Sequence, residues 1–577
     1  MAPKYPEKKL TRRIGAGRGK MAKSASGETI AGRAGRLAFI AAFSLIVALA
    51  GLTSLPPLDR DESRFAQASA QMLESGDFIT IRFQEAERNK KPAGIYWLQA
   101  ASVSAFSSVE AREIWAYRLP SVLGAILAAM FTYLAGARLF GPSTGFLAAL
   151  LLAASPALAG EASIAKTDAF LLATITIAEA AFIHIFARSK DGARAGWAWP
   201  VALWIALGAG ILVKGPIAPL VVGLTGLAML FREPKIGWVK AMRPVTGLII
   251  LILMVGPWAI AIDRATEGRF FADAIGADMA AKVGQAQESH AGPPGYYIVL
   301  LWALFWPAAA LIIPGMARAI AARRAWSDWL LLGWLIPAWI IFEATATKLP
   351  HYTLPLYPAL AIIAARAAAE GASLRRKLAR RFGAGVYALI GLAFAGLVAA
   401  LPHIFSASPL TPVCYAAAAL IAAASLLIAF FFLQGRAYQG GLAAAFLAAF
   451  VAWTVLGGVL PRLDRLMISP HLSSALDEAG YHPLRDGAPA PALAGYAEPS
   501  AVFLIGTQTI LTDGEGAAAR LEEAPEAAVA VEARLEDDFR KALAERSIMV
   551  APLAVIEGLN YSKGRDIHLT VYARKDR

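Results

Sequence analysis

The chain has 577 residues, of which 57% are apolar and only 17% are charged. Soluble domains normally carry about 25% charged residues, so a single large globular core is excluded as the main fold. The apolar residues form blocks near the roughly 20 residues that a helix needs to cross a bilayer. The formal net charge of +13 comes from Lys and Arg in short loops between these blocks, which indicates membrane topology rather than nucleic-acid binding.

The chain begins with a polar, basic segment of 36 residues that contains ten Lys or Arg. We expect this tail, residues 1–36, to be disordered and cytoplasmic. The apolar block that follows lacks an obvious small-residue cleavage site, so it predicts a retained first span rather than a removed signal peptide.

Hydropathy predicts thirteen spans, at about 37–55, 116–135, 144–160, 168–187, 197–213, 216–231, 244–262, 296–315, 327–345, 352–369, 383–401, 409–433 and 441–460. With the basic tail inside and the sides alternating, every short basic loop falls on the cytoplasmic side, as the positive-inside rule requires. The sequence therefore predicts a polytopic α-helical membrane domain at 37–460. Its long outer loops are 56–115 and 263–295.

The segment 461–577 is the part of the chain that resembles a soluble domain. Its β-type runs lie at 501–505, 548–555 and 567–572, and an acidic helical stretch lies at about 515–546. This alternation predicts a small α/β domain. The count of spans places it on the outer, periplasmic side.

Charged residues gather directly after the first predicted span, at Asp59, Arg60, Asp61, Glu62 and Arg64. Interfacial polarity explains them, and so does an N-cap at Asp61 for an amphipathic helix. Later in the same loop, Lys90 and Lys91 lie on the side where positive charge is disfavoured. Contact with lipid headgroups is one explanation, and a phosphate clamp is the other, because lysine binds phosphate as a point charge.

Isolated charges also lie in the short outer junctions beside apolar blocks. They are Lys166 with Asp168, Lys214, and Lys348 shortly before Tyr352. Snorkelling toward headgroups explains any one of these lysines. Several lysines on the face that holds Asp61 favour an anion-binding site instead.

The ordered motifs of the outer loops resemble glycosyltransferase family 39, which includes protein O-mannosyltransferases and bacterial aminoarabinose-to-lipid A transferases. The first-loop runs 61–66 (DESRFA) and 72–78 (MLESGDF) carry the resemblance. The further matches, in order, are Lys91-Pro92 with Tyr96-Trp97-Leu98, Thr167-Asp168, Lys214-Gly215-Pro216, His290 before Pro293 and Tyr296-Tyr297, and 348–355 (KLPHYTLP). The resemblance covers about residues 37–370.

The resemblance implies a GT-C fold and an enzyme that takes a sugar from a polyprenyl (undecaprenyl) phosphate carrier. It implies Asp61 as the catalytic base and Lys91 as a ligand of the carrier phosphate. Further candidate phosphate ligands are Lys282, Lys348 and Arg64. Supporting positions are Glu62, Asp59, Asp168, Lys214 and Tyr352.

One departure from the family concerns a metal. In the lipid A transferases an acidic residue implied in metal binding precedes the phosphate-binding lysine, whereas this chain has Lys90 there. A divalent ion (Mg, Mn or Zn) would then need Glu85 or Glu87, with His290 of the second outer loop. Metal dependence stays open on this sequence.

The chemistry expected is a single inverting displacement with Asp61 as general base, although the nearby Asp59 leaves a double displacement open. The outer C-terminal domain favours lipid A or another glycolipid as the acceptor, and a protein acceptor is the alternative. A transporter or flippase of a lipid-linked substrate is the rival class, and it predicts charges or broken helices near the bilayer middle. The partners expected are the donor, the acceptor and membrane lipids, with no nucleic acid, and the chain is expected to be a monomer.

Overall fold

The computed structural model describes residues 29–193, 196–279, 292–371, 377–405 and 411–575. Within these residues nine helices are long and apolar enough to cross a membrane, and two bent helix pairs raise the number to eleven. Two shorter apolar helices, Ala198–Lys214 and Ile217–Arg232, coincide with two further predicted spans. Each of the thirteen predicted spans thus has a helical counterpart, and the prediction of a polytopic helical membrane protein is confirmed.

The nine long helices are Ile30–Ala48, Ile114–Phe140, Asp168–Lys190, Pro244–Ala265, Trp326–Ala344, Pro350–Glu370, Lys377–Phe405, Thr411–Leu433 and Ala437–Arg462. The bent pairs are Pro142–Ala153 with Pro156–Ala162, at 60°, and Tyr296–Leu304 with Trp306–Ala321, at 89°. A proline lies just inside the second helix of each pair, at Pro156 and Pro307. Proline has no N–H and fits the first turn of a helix, so it separates the two halves.

The first span begins earlier than predicted. The helix Ile30–Ala48 starts behind Thr29, whose hydroxyl accepts the N–H of Gly32 at 3.1 Å as an N-cap. Residues 30–36 are therefore helical, and their assignment to a disordered tail was wrong. Arg33 is a good helix former, so the helix includes it. Its charge lowers the local hydropathy, and hydropathy therefore places the start of the span too late. Residues 1–28 lie outside the described residues.

Two helices of the first outer loop flank a hairpin that consists of β1 (Arg82–Phe83) and β2 (Ala86–Glu87). These helices are Asp61–Ser75 and Gly94–Phe106. A Cβ on Gly94 would lie 2.7 Å from the carbonyl oxygen of Leu212, so only glycine allows this approach to the helix Ala198–Lys214. The contact holds the segment after Lys91 against the helix end that carries Lys214.

The C-terminal domain is a five-stranded sheet with helices on both faces. Its strands are β3 (Ala492–Ala494), β4 (Ile510–Thr512), β5 (Val529–Glu532), β6 (Val550–Asn560) and β7 (Arg565–Arg574). Their order is β4-β3-β5-β7-β6, with β3 parallel to β4 and β5, and β7 antiparallel to β5 and β6. The helices Ile468–Glu478 and Pro499–Ile505 pack on one face, and Gly514–Glu523 and Glu536–Glu545 pack on the other.

Two details of this domain differ from the prediction. The apolar run 501–505 belongs to the helix Pro499–Ile505 and is not a strand. A short apolar run does not distinguish strand from helix by periodicity, whereas Pro499 at the helix start and Gly506 at its end do mark a helix. The acidic stretch 515–546 is interrupted by β5, whose four residues are all buried between the two helices.

Candidate functional site

Asp61 is the first residue of the helix Asp61–Ser75, and its side chain is exposed. A carboxylate in the first turn is stabilised as an anion by the helix dipole. Its neighbour Lys166 is buried, which lowers the pKa of Lys166, but the carboxylates Glu161, Asp168 and Asp61 outweigh this and raise that pKa above its usual value. Asp61 thus lies close enough to Lys166 for their charges to interact.

Glu62 is buried and has four hydrogen-bond donors. The guanidinium of Arg118 donates to both its oxygens, at 2.8 and 2.9 Å. The backbone N–H groups of Leu58 and Ala165 also donate to it, each at 2.8 Å. This carboxylate therefore ties the outer loop to the bundle, and none of its oxygen atoms is available for a reaction.

One largely buried cluster contains Glu161, Lys166, Asp168, Lys214 and His351. Lys214 Nζ lies 2.5 Å from Asp168 Oδ1, and Lys166 Nζ lies 3.6 Å from the other oxygen of Asp168. Lys166 also lies 3.2 Å from Glu161 and 3.4 Å from His351 Nδ1. Buried charges persist only when paired, so these groups stabilise one another. Gly215, with a φ of +63°, makes the tight turn that leaves Lys214 at the helix end.

Tyr352 and Lys348 join this region from the segment that follows the helix Trp326–Ala344. The Lys214 ammonium lies 5.4 Å from the centre of the Tyr352 ring, which is cation–π distance. Lys348 is buried, and its Nζ donates to the carbonyl oxygen of Thr345 at 2.9 Å. The ordered motifs of residues 166–168, 214 and 348–352 therefore meet in space as well as in sequence.

Lys91 is half-buried, and its ammonium donates to the carbonyl oxygen of Lys90 at 3.1 Å. Lys90 itself is exposed. Arg64 lies one turn after Asp61 on the same helix and is partly exposed. Lys282, the remaining candidate phosphate ligand, lies outside the described residues.

The candidate metal ligands do not form a set among the described residues. Glu87 is paired with Arg269 at 3.0 Å and accepts the amide of Asn89 at 3.1 Å, while Glu85 is exposed. His290 lies outside the described residues. The described residues around Glu87 therefore do not form a metal site.

One group of three potential metal ligands does occur within the described residues, and it consists of Glu161, Asp168 and His351. The ammonium of Lys166 already lies between its carboxylates, 3.2 Å from Glu161 and 3.6 Å from Asp168. The positive charge that these carboxylates need is thus supplied by lysine rather than by an ion.

Asp59 is directed away from this cluster and contacts the C-terminal domain. Ser500 Oγ donates to its carboxylate, and Tyr561 Oη accepts its backbone N–H at 2.7 Å. Burial, the largest cause, and the charge of Glu498 raise the pKa of Asp59. The hydrogen bond from the Ser500 hydroxyl lowers it, and the net result is a pKa of about 6. The role of Asp59 as a supporting position stays a prediction.

Two functional neighbours were missed on sequence grounds. Arg118 is fully buried and, besides Glu62, its guanidinium binds backbone carbonyl oxygens of residues 51, 52, 55 and 56. An arginine near the start of a predicted span was a signal, because intramembrane charges mark sites. Glu161, seven residues before Asp168 at the end of an apolar block, carried the same signal.

The chain resembles known proteins in sequence. A family model described as dolichyl-phosphate-mannose-protein mannosyltransferase matches residues 37–269. An undecaprenyl phosphate-alpha-4-amino-4-deoxy-L-arabinose arabinosyl transferase of Pseudomonas aeruginosa is 28% identical over 369 residues, which cover 62% of this chain and 64% of the relative. A similarly named transferase of Pseudomonas fluorescens is 29% identical over 337 residues, or 56% of this chain and 58% of the relative. The chain thus matches less than two thirds of the length of these curated relatives.

The fold has a solved counterpart along almost its whole length. The crystal structure of ArnT from Cupriavidus metallidurans bound to undecaprenyl phosphate matches with a TM-score of 0.70 at 19% identity, and the match covers 93% of this chain and 98% of that one. The match confirms the GT-C fold with its C-terminal domain. In sequence the chain resembles glycosyltransferase family 39, as its ordered outer-loop motifs predict, and the fold match extends to its C-terminal domain.

Proposed function

We propose that the chain is a glycosyltransferase that moves a sugar from a polyprenyl phosphate, of the undecaprenyl type, to lipid A or another glycolipid outside the cytoplasm. The observation that carries the proposal is the exposed carboxylate of Asp61 beside the buried Lys166 at one end of the bundle. The relatives named as undecaprenyl phosphate-aminoarabinose transferases, and the undecaprenyl phosphate bound to the structural counterpart, support this class of donor.

The reaction is a single displacement at the anomeric carbon of the donor. Asp61 accepts the proton of the acceptor hydroxyl while the hydroxyl oxygen attacks that carbon. The bond between the carbon and the phosphate oxygen breaks, and polyprenyl phosphate leaves with the additional negative charge. Lys91, together with the candidates Lys348, Arg64 and Lys282, stabilises this charge electrostatically.

A double displacement would need a second carboxylate next to Asp61 that is free to attack. The two nearest candidates along the chain, Asp59 and Glu62, are both engaged in hydrogen bonds elsewhere. Their engagement supports inversion of configuration at the anomeric carbon.

The topology follows from the charge pattern of the loops. We place the chain in the bacterial inner membrane with the N-terminus in the cytoplasm, because the short basic loops then share the cytoplasmic side. The parts of the chain are a tail before the helix Ile30–Ala48, the membrane domain that begins with this helix and extends to residue 460, and the periplasmic domain 461–577. The protein acts as a monomer with donor, acceptor and membrane lipids as its partners and without nucleic acid.

A lipid transporter is the second candidate function, and the two bent helix pairs are the observation that favours it. Against it, the charge clusters around Asp168 and Asp328 lie at the ends of the helices that carry them. A protein acceptor, as in the mannosyltransferases that the matching family model describes, is the alternative within the enzyme class.

The deciding experiment measures the transfer of radiolabelled sugar from purified polyprenyl phosphate donors to lipid and protein fractions. Wild type should give labelled product, and Asp61→Asn should lower the rate by about 10²–10⁴-fold, the usual contribution of a general base. The fraction that carries the label identifies the acceptor class. Absence of product with every donor, together with movement of labelled lipid between leaflets, would establish the transporter instead.

A further inference from the structure

The backbone immediately before Asp61 is strained. Arg60 has a φ of +64° and a ψ of −112°, although it is not a glycine. Such a conformation is unfavourable for a residue with a Cβ and persists only where the surroundings enforce it. The groups that hold Arg60 therefore also fix where the helix that presents Asp61 begins.

The C-terminal domain supplies these groups from about 440 to 500 residues away in sequence. Tyr561 Oη accepts the backbone N–H of Asp59 at 2.7 Å. The guanidinium of Arg60 donates to the carbonyl oxygen of Ser562, and Ser500 Oγ donates to the carboxylate of Asp59. One short outer-loop segment is thus held by three hydrogen bonds from a separate folded unit.

The holding groups are themselves fixed by buried partners inside the domain. Glu498 accepts Asn560 Nδ2 at 2.9 Å and Ser562 Oγ at 2.6 Å, which rigidifies the turn between β6 and β7. Ser469 lies 2.6 Å from the hydroxyl of Ser500 and fixes its orientation. Networks in which every member is satisfied define one geometry rather than several.

We propose that the C-terminal domain is a positioning element for Asp61, in which Ser500 and the 561–562 turn hold Asp59 and Arg60 in the strained conformation that orients this carboxylate. The inference rests on the proposed function, because orientation of Asp61 matters only if this carboxylate takes a proton. Ser500 and Tyr561 are positioning residues and do not contact the reacting atoms.

A second attachment of the domain allows the positioning role to be tested separately from docking. Thr507 Oγ1 donates to Glu74 at 2.7 Å and accepts Gln67 Nε2 at the same distance. The ring of Phe503 packs edge-to-face on Tyr117, with 5.2 Å between centroids. These contacts hold the domain on the outer loop without touching Asp59 or Arg60.

The test compares the double variant Ser500→Ala with Tyr561→Phe against Thr507→Ala, all in the full-length protein. Measurements are kcat, the KM for a polyprenyl phosphate sugar, the binding of undecaprenyl phosphate and the thermal unfolding midpoint. The positioning variant should lose between about tenfold and 10²-fold in kcat, because a misplacement of about 1 Å has that effect. Its KM and lipid binding should stay at wild-type values, with kcat expressed per folded molecule, whereas Thr507→Ala should keep kcat per folded molecule.

The other outcomes are equally distinct. A lower unfolding midpoint with unchanged kcat per folded molecule would reduce the contact to simple attachment and overturn the positioning role. Wild-type kcat in the double variant, with Asp61→Asn inactive, would overturn positioning while the proposed transferase stands. A wild type that transfers no sugar would overturn the proposed function itself. If the double variant does not fold, Tyr561→Phe alone gives the same comparison, since it removes a single hydroxyl from a side chain that is 43% exposed.

Discussion

The two ends of the helix bundle use charge in different ways. At one end, Arg318 and Arg366 both donate to Asp328, and both also bind Glu370. Arginine matches a carboxylate with a planar fork, so these four groups form a closed and neutral network. Their contacts leave little capacity to bind anything else.

The opposite end uses lysine where the first end uses arginine. Lys166 and Lys214 pair with Asp168 and Glu161, and Asp61 lies exposed beside them. A lysine ammonium is a compact charge on a flexible stem and can turn from a carboxylate to a phosphate. Charge pairing is therefore common to a structural network and a candidate site. The type of cation and the exposed carboxylate distinguish the two.

The largest effect is expected at Arg118, which holds the outer loop at the end of the bundle where Asp61, Lys166 and Lys214 lie (the site end). Arg118 takes no part in the proposed reaction. Arg118→Met leaves the Glu62 charge buried and removes the donor from several backbone carbonyl oxygens. Breaking a buried pair in this way costs about 3–5 kcal/mol. We expect a strongly lowered unfolding midpoint in detergent or a failure to accumulate in the membrane. Glu62→Gln should lose less, since it keeps most hydrogen bonds, and an Arg118→Met protein as stable as wild type would contradict this assignment.

Next in size is the effect of a lysine at the site end. Lys91→Met should lower kcat/KM for transfer by about 10²–10³-fold, the usual loss when one charge-stabilising group is removed. The adjacent Lys90→Met is the matched control, because Lys90 is exposed, and it should stay within about twofold of wild type. Equal losses in both variants would indicate general attraction to headgroups rather than a phosphate ligand.

A smaller effect is expected at the other end of the bundle, in the network of Arg318, Arg366, Asp328 and Glu370 (the closed end). Arg366→Met removes hydrogen bonds to Asp328 and Glu370, and such bonds to charged groups contribute about 1.5–3 kcal/mol. The unfolding midpoint should fall while kcat per folded molecule stays unchanged. A loss of kcat at an unchanged midpoint would show that the two ends are coupled and would break the distinction between them.

Most of the membrane domain could be predicted from sequence because hydropathy and charge are local signals. The thirteen spans depended on blocks of apolar residues, and errors arose where a local signal ended early, as at Arg33 in the first helix. The gathering of Asp168 with Lys214 was predictable in kind, since both lie at outer ends of spans. Their 2.5 Å contact was not, because sequence does not give helix packing.

The attachment of Asp59 and Arg60 to the C-terminal domain could not be predicted at all. Its partners Ser500, Tyr561 and Ser562 are separated from them by more than 440 residues and belong to no motif. A serine or tyrosine outside any motif carries no sequence signal for such a role. Even the strained φ of Arg60 is a consequence of this long-range contact rather than of the local sequence.

The smallest expected effect concerns the pH dependence of that attachment. The pKa of Asp59 rises from 3.8 to about 6, first because of burial and then because of Glu498, while Ser500 and Tyr561 lower it by hydrogen bonding. A raised pKa means that the folded state binds the proton more tightly than the unfolded state does. The resulting stabilisation is complete below a pH of about 3.8 and is lost as the pH rises through about 6.

Asp59→Asn removes this titration while keeping an oxygen that accepts the Ser500 hydroxyl. We expect the unfolding midpoint of wild type to fall relative to the variant between a pH of about 3.8 and about 6. The neighbouring groups that face Asp59 are Glu498, Tyr496, Tyr561 and Arg60, and they are the same in both proteins. Thr507→Ala, at the second attachment, should be less stable than wild type by the same amount at each pH. Parallel curves for wild type and Asp59→Asn would mean that folding does not shift the pKa of Asp59, and they would contradict a pH-dependent attachment of the C-terminal domain.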